Sequence, residues 1–358
     1  MNFLISAASF TLMKLSLVSK RMLPCIALVS LLLGEGVSVV HADLTSAGTF
    51  QGHYGLSIDA VGSNNTPVGQ LLAEIPVGAT VTQAYLYAAG TPFPWYPDSP
   101  TTLAAYNGAG IVLGGTPITN FSKLVGAISD RSDIGRWYTG RADVTTVVQN
   151  LVAANPLTFA HSWTYEEGFL LNGRIDGGLL AVVYEQASLP EATVALLDGG
   201  QRTGGEQSVF NYSEPLGDPN AADFFMNMSL GISFSCCGQV SEVNINGQRL
   251  TSAAGDADDG LTVADGALIT AGGVGDSITN PVNPFSTDPS GDDELYNLKP
   301  FLAQGDNSLL IRTSNATNDD NIFFLALHSS EIVNLVPEPS SLILAMLALP
   351  VLMFRSRG

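Results

Sequence analysis

The sequence predicts a mainly β protein, an antiparallel β-sandwich of jelly-roll type. Segments rich in Val, Ile, Tyr, Phe and Thr recur along the chain and are separated by clusters of Gly, Asn, Asp and Pro. The 37 glycines and 19 prolines supply tight turns between short strands. Some segments alternate apolar and polar residues, whereas others are nearly continuous apolar runs. This mixture indicates packed antiparallel sheets in which some strands are buried on both faces.

Four segments carry the clearest strand pattern. Residues 80–88 alternate in part, and residues 157–165 alternate cleanly. Residues 177–184 and 322–327 are continuous apolar runs, which is typical of central strands. One face of the second segment holds Leu157, Phe159, His161, Trp163 and Tyr165. A histidine on such a face beside a tryptophan indicates a core position rather than a catalytic base.

Two short helices are expected to interrupt the strands. Asp143 can cap a helix over residues 144–152, whose valines and leucine form one apolar stripe. Asp292 or Asp293 can cap a second helix, and Gly305 supplies its stop. The apolar face of the second helix would hold Leu295, Leu298, Phe301 and Leu302.

The order of these elements indicates an internal duplication. Each helix precedes a strand, a loop and an Asp-led apolar strand, at 176–184 and at 320–328. Upstream, residues 80–88 before Asn107-Gly108 are matched with residues 240–245 before Asn246-Gly247. The sequence therefore favours two related sandwich lobes, residues 43–188 and 189–336. A single large sandwich remains the alternative.

Residues 1–42 have the order of a secretory signal peptide. Lys14, Lys20 and Arg21 precede an apolar helix at residues 26–33, and small residues end the segment at Ala42. Signal peptidase is therefore an expected partner, with cleavage after Ala42.

The chain ends in a three-part tail at residues 337–358. Pro337, Glu338 and Pro339 are followed by an apolar helix at 342–354 and a basic tip, with Arg355 and Arg357. The prolines favour an extended, accessible stretch. A bilayer span needs roughly 20 apolar residues, so the helix suits a transient rather than a lasting transmembrane anchor. The two arginines favour a cytoplasmic C-terminus.

This tail resembles the PEP-CTERM sorting signal of Gram-negative bacteria. The resemblance implies an exosortase-type processing enzyme as partner and passage through the inner membrane. It further implies delivery to the cell envelope, outer surface or extracellular matrix, in connection with exopolysaccharide and biofilm. Whether the tail is cleaved or retained stays open. In the body, the segments IPVGATVTQAYLYAAG, GRADVTTVV and DGGLLAVVYE resemble β-sandwich domains of unknown function in microbial surface proteins. No catalytic residue carries over from them.

The charge of the chain excludes nucleic acid as a partner. Fourteen basic and 33 acidic residues give a net charge of −19. Without the two terminal signals the balance is 9 basic against 31 acidic residues, or −22. A surface of this kind repels polyanions and favours cations.

The sequence predicts no enzyme. A hydrolase triad requires a histidine base near a nucleophile. After the signal peptide the histidines are His53, His161 and His328, and none lies in a Gly-x-Ser-x-Gly or His-Glu-x-x-His motif. The first functional hypothesis is therefore a non-catalytic matrix or envelope protein.

The alternative hypothesis is a carbohydrate- or calcium-binding module. Aromatic pairs that can stack on sugar rings are Trp95 with Tyr96 and Trp137 with Tyr138. Burial of these rings against the sandwich ends is the competing interpretation.

Calcium is the one cofactor that the sequence suggests. Asp256, Asp258 and Asp259 lie in a Gly-rich segment that resembles an EF-hand loop only in part. A second acidic cluster holds Asp288, Asp292, Asp293 and Glu294. Solvated acidic loops in an acidic protein are the favoured interpretation of both clusters, which leaves at most a weak structural calcium site.

Cys236 and Cys237 are adjacent, so they cannot staple distant segments. A strained vicinal disulfide and two reduced thiols both remain open.

Overall fold

The computed structural model describes residues 44–63, 66–90, 101–128, 136–167, 175–201, 205–233, 241–255, 259–260, 268–289, 292–315 and 321–336. The expected signal helix and the expected C-terminal helix lie outside these residues. Within the described ranges, no helix has the length and apolar character needed to cross a membrane.

The chain is mainly β, as the sequence predicts, and its paired strands are antiparallel in the described residues. The strands up to residue 185 are β1 (Thr45–Gly52), β2 (Tyr54–Gly62), β3 (Val68–Glu74), β4 (Thr80–Gly90), β5 (Val112–Leu113), β6 (Thr116–Pro117), β7 (Phe121–Ile128), β8 (Arg136–Asp143), β9 (Ala160–Glu166) and β10 (Ile175–Glu185). The later strands are β11 (Ala192–Asp198), β12 (Glu206–Tyr212), β13 (Met226–Ser233), β14 (Ser241–Ile245), β15 (Gln248–Ala254), β16 (Ile269–Ala271), β17 (Leu295–Asn297), β18 (Ser308–Asn315), β19 (Asn321–Ser329) and β20 (Val333–Val336). The helices are α1 (Leu103–Asn107) and α2 (Thr145–Ala154), with a 3₁₀ turn at Lys299–Phe301.

The strands form four sheets, numbered here in the order in which they stack. Sheet I has the strand order β3-β9-β5-β6, and sheet II has β2-β10-β4-β8-β7. Sheet III has β1-β11-β19-β13-β16, with β17 also paired to β13. Sheet IV has β15-β14-β18-β12-β20.

Three hydrophobic cores separate the four sheets and define their order. Sheets I and II enclose the first core. The facing sides of sheets II and III enclose the second. Sheets III and IV enclose the third. Sheets II and III are therefore buried on both faces, whereas sheets I and IV lie on the outside. Representative core residues are Leu71, Leu86 and Trp163 in the first, Tyr87, Leu179 and Phe324 in the second, and Phe210, Met228 and Ile311 in the third.

The continuous apolar runs become the central strands of the inner sheets. β10 places Leu180 and Val182 in the first core and Leu179 and Ala181 in the second. β19 is likewise buried along its length except at His328. The prediction of strands buried on both faces is confirmed, because apolar runs avoid the cost of exposing either side to water.

The pairing order of the first two sheets recurs in the last two. β10 pairs with β2 and β4, and β9 pairs with β3 and β5. In the same way β19 pairs with β11 and β13, and β18 pairs with β12 and β14. This order corrects one predicted match: β4 corresponds to β13, and β14 corresponds to β5. The reason is that β14 pairs with an outer-sheet strand, whereas β4 pairs with an inner one.

One of the two predicted helices forms, and the other does not. α2 forms where predicted, but its N-cap is Val144. Asp143, one residue earlier, accepts hydrogen bonds at Oδ1 from the Thr145 backbone N (2.9 Å) and Oγ1 (2.6 Å). The second predicted helix is wrong. Leu295–Asn297 is strand β17, paired with β13, and only the 3₁₀ turn follows it. Pro300 cannot donate to a helical ladder, and strand pairing outweighs the helical spacing of the leucines.

The segment at 157–165 is shorter as a strand than predicted. β9 begins at Ala160, and Leu157 and Phe159 before it are 85% and 49% exposed. The remaining face is buried as expected, with the His161 ring stacked on Trp163 at 5.3 Å between ring centroids. Burial lowers the pKa of His161, which keeps the core imidazole neutral.

Candidate functional site

A cleft of about 460 Å³ opens where sheet II stops covering sheet III. β2 is the edge strand of sheet II, and the inner face of sheet III continues past it. The cleft is lined by Leu56, Ser57, Ile58, Glu74, Phe159, Tyr184, Asn227, Ser229, Gly273, Val274, Gly275, Asp276, Ile278, Leu295, Ala326 and His328. These residues come from eight separate stretches of the chain, so only the folded protein assembles the cleft.

The floor of the cleft is a polar patch on an otherwise apolar sheet face. Asn227 lies directly opposite His328, and Ser229 lies opposite Ala326, across the β13–β19 pair. Side chains at such opposed positions are within contact distance. Further along the same face, Phe324 and Leu196 belong to the apolar core between sheets II and III. The polar residues therefore begin where the core ends.

His328 is the titratable group of this floor. Its ring packs edge-on against Phe225, with 4.9 Å between centroids. Burial lowers the pKa of His328, an effect that a hydrogen bond to the Tyr54 backbone opposes only in part. The imidazole is thus neutral at neutral pH and adds no positive charge to the cleft.

One wall is built where β2, β3 and the start of β9 meet. The Glu74 backbone N donates to Ser57 Oγ (2.9 Å), and the Ile75 backbone N donates to the Phe159 carbonyl (2.9 Å). These bonds fix the backbone at Glu74 and at Phe159, and both residues line the cleft. The wall therefore offers an exposed carboxylate and a half-exposed aromatic ring.

The opposite wall is the loop at 272–278, which lies against β2. The Val274 backbone N donates to the Ile58 carbonyl (2.8 Å), and Asp276 Oδ2 accepts from the Gly273 N (2.6 Å). A Cβ on Gly273 would lie 2.0 Å from the Ile58 carbonyl oxygen. The wall consequently requires glycine at this position, because any side chain would push the loop off β2.

A second glycine lets Tyr184 of β10 approach the β2 backbone at the cleft. A Cβ on Gly55 would lie 2.4 Å from the Tyr184 ring, so the ring lies against the β2 backbone. Burial, followed by the nearby Glu74 carboxylate, raises the pKa of Tyr184. The phenol is therefore un-ionised and available as a hydrogen-bonding group.

The electrostatic character of the cleft is acidic. Glu74 and Asp276 supply carboxylates, and the described lining residues include no Lys or Arg. The arrangement suits a ligand that is rich in hydrogen-bonding groups and either neutral or positively charged.

A buried charge cluster lies at the other end of the interface between sheets II and III. Asp198, at the end of β11, is fully buried and opposite Phe324 of β19. Its carboxylate pairs with Lys123 and with Arg141, whose Nη1 is 2.6 Å from Oδ2. Tyr87 also donates its hydroxyl to Oδ2 (3.1 Å). Burial alone would lower the pKa of Arg141, but the Asp198 carboxylate with Tyr87 and Tyr85 raises it overall.

Most of the site residues predicted from the sequence lie outside the described part of the chain. These are Ala42, Trp95, Tyr96, Cys236, Cys237, Asp256, Asp258, Pro337, Glu338, Pro339, Arg355 and Arg357. Trp137 is in β8, opposite Ala127 of β7, and its side chain is outside the described set. Tyr138 is half-buried against the first core, and its carbonyl accepts from the Tyr106 hydroxyl at 2.7 Å. That burial agrees with the competing interpretation of these aromatic residues.

Asp259 is the described residue of the first acidic cluster predicted to bind calcium, and it accepts hydrogen bonds from backbone groups. Asp259 Oδ2 accepts from the Ala271 N (2.6 Å) and its carbonyl from the Gly62 N (2.6 Å). Within the described ranges, no group of three or more His, Cys, Asp or Glu side chains is arranged to hold a metal ion.

Two acids of the second cluster, Asp292 and Glu294, are buried near other carboxylates. Glu294 accepts from the Gly255 N (2.5 Å) and from Thr270 Oγ1 (2.8 Å), while Asp292 accepts from Thr251. Burial, and then the Asp292 charge, raises the pKa of Glu294, and burial raises that of Asp292 to about 6. Protonation of these groups thus accompanies their burial.

Comparison with known proteins leaves the chain without an assigned family. No protein-family model and no curated protein matches it. A solved structure named BspA_C_mut is 7% identical, with 79% of this chain and 90% of that chain covered and a TM-score of 0.14. The VP2 subviral particle of infectious bursal disease virus is 9% identical over 83% of this chain and 81% of that one, with a TM-score of 0.11. Likenesses this weak support no statement about fold or function.

Sequence reasoning missed the cleft. Phe159 was assigned to the buried face of a strand, and Asn227, Ser229 and Gly273 carry no motif. The one available signal was His328, a polar residue that ends an apolar run.

Proposed function

We propose that this chain is an exported, non-catalytic protein of the cell envelope or extracellular matrix, handled by an exosortase-type enzyme. The observation that carries the proposal is the tail, where Pro337-Glu338-Pro339, a short apolar segment and a basic tip follow one another. The secretory order of residues 1–42 and the acidic, lysine-poor body agree with it. Association with exopolysaccharide or biofilm is part of the same proposal.

The end of the folded body supports access to the tail. β20 is the edge strand of sheet IV, and its last residue, Val336, pairs with Val209. Val333 in the same strand is buried in the third core. The Pro-Glu-Pro stretch therefore begins one residue after a strand that is anchored in the body. An enzyme that acts on the tail would therefore work directly beside a strand that is anchored in the body.

We further propose that the body is two related sandwich lobes produced by duplication. The recurrence of the pairing order around β9–β10 and β18–β19 supports this reading. One strand departs from a simple division by sequence, because β1 pairs with β11 in sheet III. A β-sandwich of jelly-roll type in each lobe is part of the same proposal.

The test of the export proposal is fractionation of cells with and without the exosortase, followed by mapping of both termini. We expect a mature N-terminus at Asp43 in both strains. We expect loss of residues 342–358 only where the exosortase is present. A mature protein that keeps these residues in both strains would contradict the sorting proposal, and Met1 at the N-terminus would contradict the signal peptide.

Carbohydrate binding is the second candidate function, and the cleft is the observation that favours it. Calcium binding has less support in the described residues, because Asp259 is committed to backbone donors.

A further inference from the structure

We propose that the cleft between β2 and the inner face of sheet III binds a short stretch of a neutral or amine-bearing saccharide. The site is new relative to the aromatic pairs singled out from the sequence. It is also independent of the sorting route, since it lies in the folded body.

The distribution of polarity in the cleft matches the two-sided character of a sugar ring. A pyranose has an apolar face formed by C–H groups and a rim of hydroxyls. Phe159 and Ile278, each 49% exposed, offer apolar surface at the cleft. Asn227 and Ser229 offer an amide and a hydroxyl on the floor, where they can donate and accept. Polar groups set among apolar walls are the usual composition of small-molecule sites.

The walls are fixed before any ligand arrives. The bond from the Ile75 N to the Phe159 carbonyl anchors the aromatic wall to β3, and the bond from the Val274 N to the Ile58 carbonyl anchors the loop wall to β2. A preformed site loses less entropy on binding than one that must be ordered. Weak contacts to a saccharide can therefore yield measurable affinity.

The size of the cleft sets the length of ligand. Its volume of about 460 Å³ falls within the roughly 300–1,000 Å³ of typical small-molecule sites. The cleft is also open to solvent on one side, so a sugar inside a longer polymer can enter as well as a free end.

Charge selects the class of saccharide. Glu74 and Asp276 are acidic, His328 is neutral, and the described lining offers no Lys or Arg to balance a carboxylate or sulfate. The body as a whole is strongly acidic, with 9 basic and 31 acidic residues between the terminal signals. Uronate polymers are therefore repelled, whereas an amino sugar gains from the Glu74 carboxylate.

The test is isothermal titration of the purified exported protein with defined hexasaccharides. The neutral probes are hexamers of glucose, mannose and N-acetylglucosamine, the amine-bearing probe is a glucosamine hexamer, and the acidic probe is a galacturonate hexamer. We expect saturable binding of at least one neutral or amine-bearing probe and none of the galacturonate hexamer.

Variants at the cleft assign the binding to this site. Phe159→Ala is expected to weaken binding by tenfold or more, and Ile278→Ala by several-fold. Leu157→Ala is the matched control, because Leu157 is more exposed, is two residues away and does not line the cleft. It is expected to change affinity less than twofold. Melting temperatures close to that of the parent would show that all three variants fold.

Glu74→Gln tests the charge argument. If the glucosamine hexamer binds, this variant should lower its affinity several-fold. The affinities for the neutral probes should change less than twofold. Absence of saturable binding to every probe would overturn the proposal. So would binding of the galacturonate hexamer alone, or equal affinities for the parent, Phe159→Ala and Ile278→Ala. None of these results would touch the export proposal, which rests on the termini.

Discussion

Polar groups have different surroundings at the two ends of the interface between sheets II and III. At one end Asp198 is fully buried, and Lys123, Arg141 and Tyr87 satisfy its carboxylate. At the other end Asn227 and His328 face an open cleft. The same two strands, β11 and β19, run past both ends. The contrast is between a charge cluster that is closed within the fold and polar residues that line an open cleft.

The closed end should dominate stability. Asp198→Ala leaves two cations without their buried partner, which costs ~3–5 kcal/mol in comparable pairs. We expect a loss of this size in the free energy of unfolding, measured by urea denaturation. Asp223→Ala, at an exposed aspartate, is the control and should change the free energy of unfolding by less than ~0.5 kcal/mol. A loss below ~1 kcal/mol for Asp198→Ala would mean that the cluster is only superficially important.

The wall of the open end should be sensitive to a single methyl group. Gly273→Ala places a Cβ 2.0 Å from the Ile58 carbonyl oxygen, and overpacking of this kind costs up to ~3 kcal/mol. Gly217→Ala is the control, because nothing lies within 4 Å of a Cβ there. Urea denaturation of both variants measures the difference. Equal stabilities would indicate that the loop does not rest on β2.

The buried acid Asp292 provides a third case, and its effect on stability depends on pH. Burial raises the pKa of Asp292 from 3.8 to about 6, so the folded state binds more protons than the unfolded state between these values. The stabilisation from this group is complete below pH 3.8 and is lost as the pH rises through about 6. Asp292→Asn mimics the protonated acid. Its free energy of unfolding relative to that of the parent should therefore rise by roughly 2 kcal/mol between about pH 4.5 and pH 8.

The measurement is the difference in unfolding free energy between Asp292→Asn and the parent across that pH range. Taking the difference removes the contribution of His161 and His328, whose lowered pKa values act in the opposite direction. Glu191→Gln, at an exposed carboxylate, is the control. A difference that does not change with pH would contradict the raised pKa.

Two tyrosines give the smallest and most closely matched comparison. Tyr87→Phe removes a hydroxyl that donates to Asp198, and a hydrogen bond to a charged group contributes at least about 1.5 kcal/mol. Tyr184→Phe removes a hydroxyl at the open cleft and should change the free energy of unfolding by less than ~0.5 kcal/mol. Similar losses for both would erase the distinction between the two ends.

The strands were predictable from the sequence to the extent that their pattern is local. β10 and β19 follow from unbroken apolar runs, and α2 follows from its apolar stripe and the Asp143 side chain before it. The sequence predicts a helix at β17 because Leu295, Leu298 and Leu302 have helical spacing. Its pairing with β13 joins residues far apart in the chain, and no local pattern reports such a contact.

The cleft could not be predicted for the same reason. Glu74, Phe159, Asn227, Gly273 and His328 are each ordinary in their own segments, and they become a site only when sheets I, II and III stack. The order of the four sheets is likewise a property of distant contacts. Sequence motifs favoured aromatic loops and acidic clusters, which are conspicuous locally.

The most direct test of the contrast between the two ends is hydrogen–deuterium exchange of the exported protein with and without the saturating hexasaccharide. The account predicts increased protection of the backbone amides at 272–278 and 54–58. It predicts no change in β7, β8 and the end of β11, around Asp198. Protection that is absent, or that appears mainly around Asp198, would contradict the claim that the open end is the binding end.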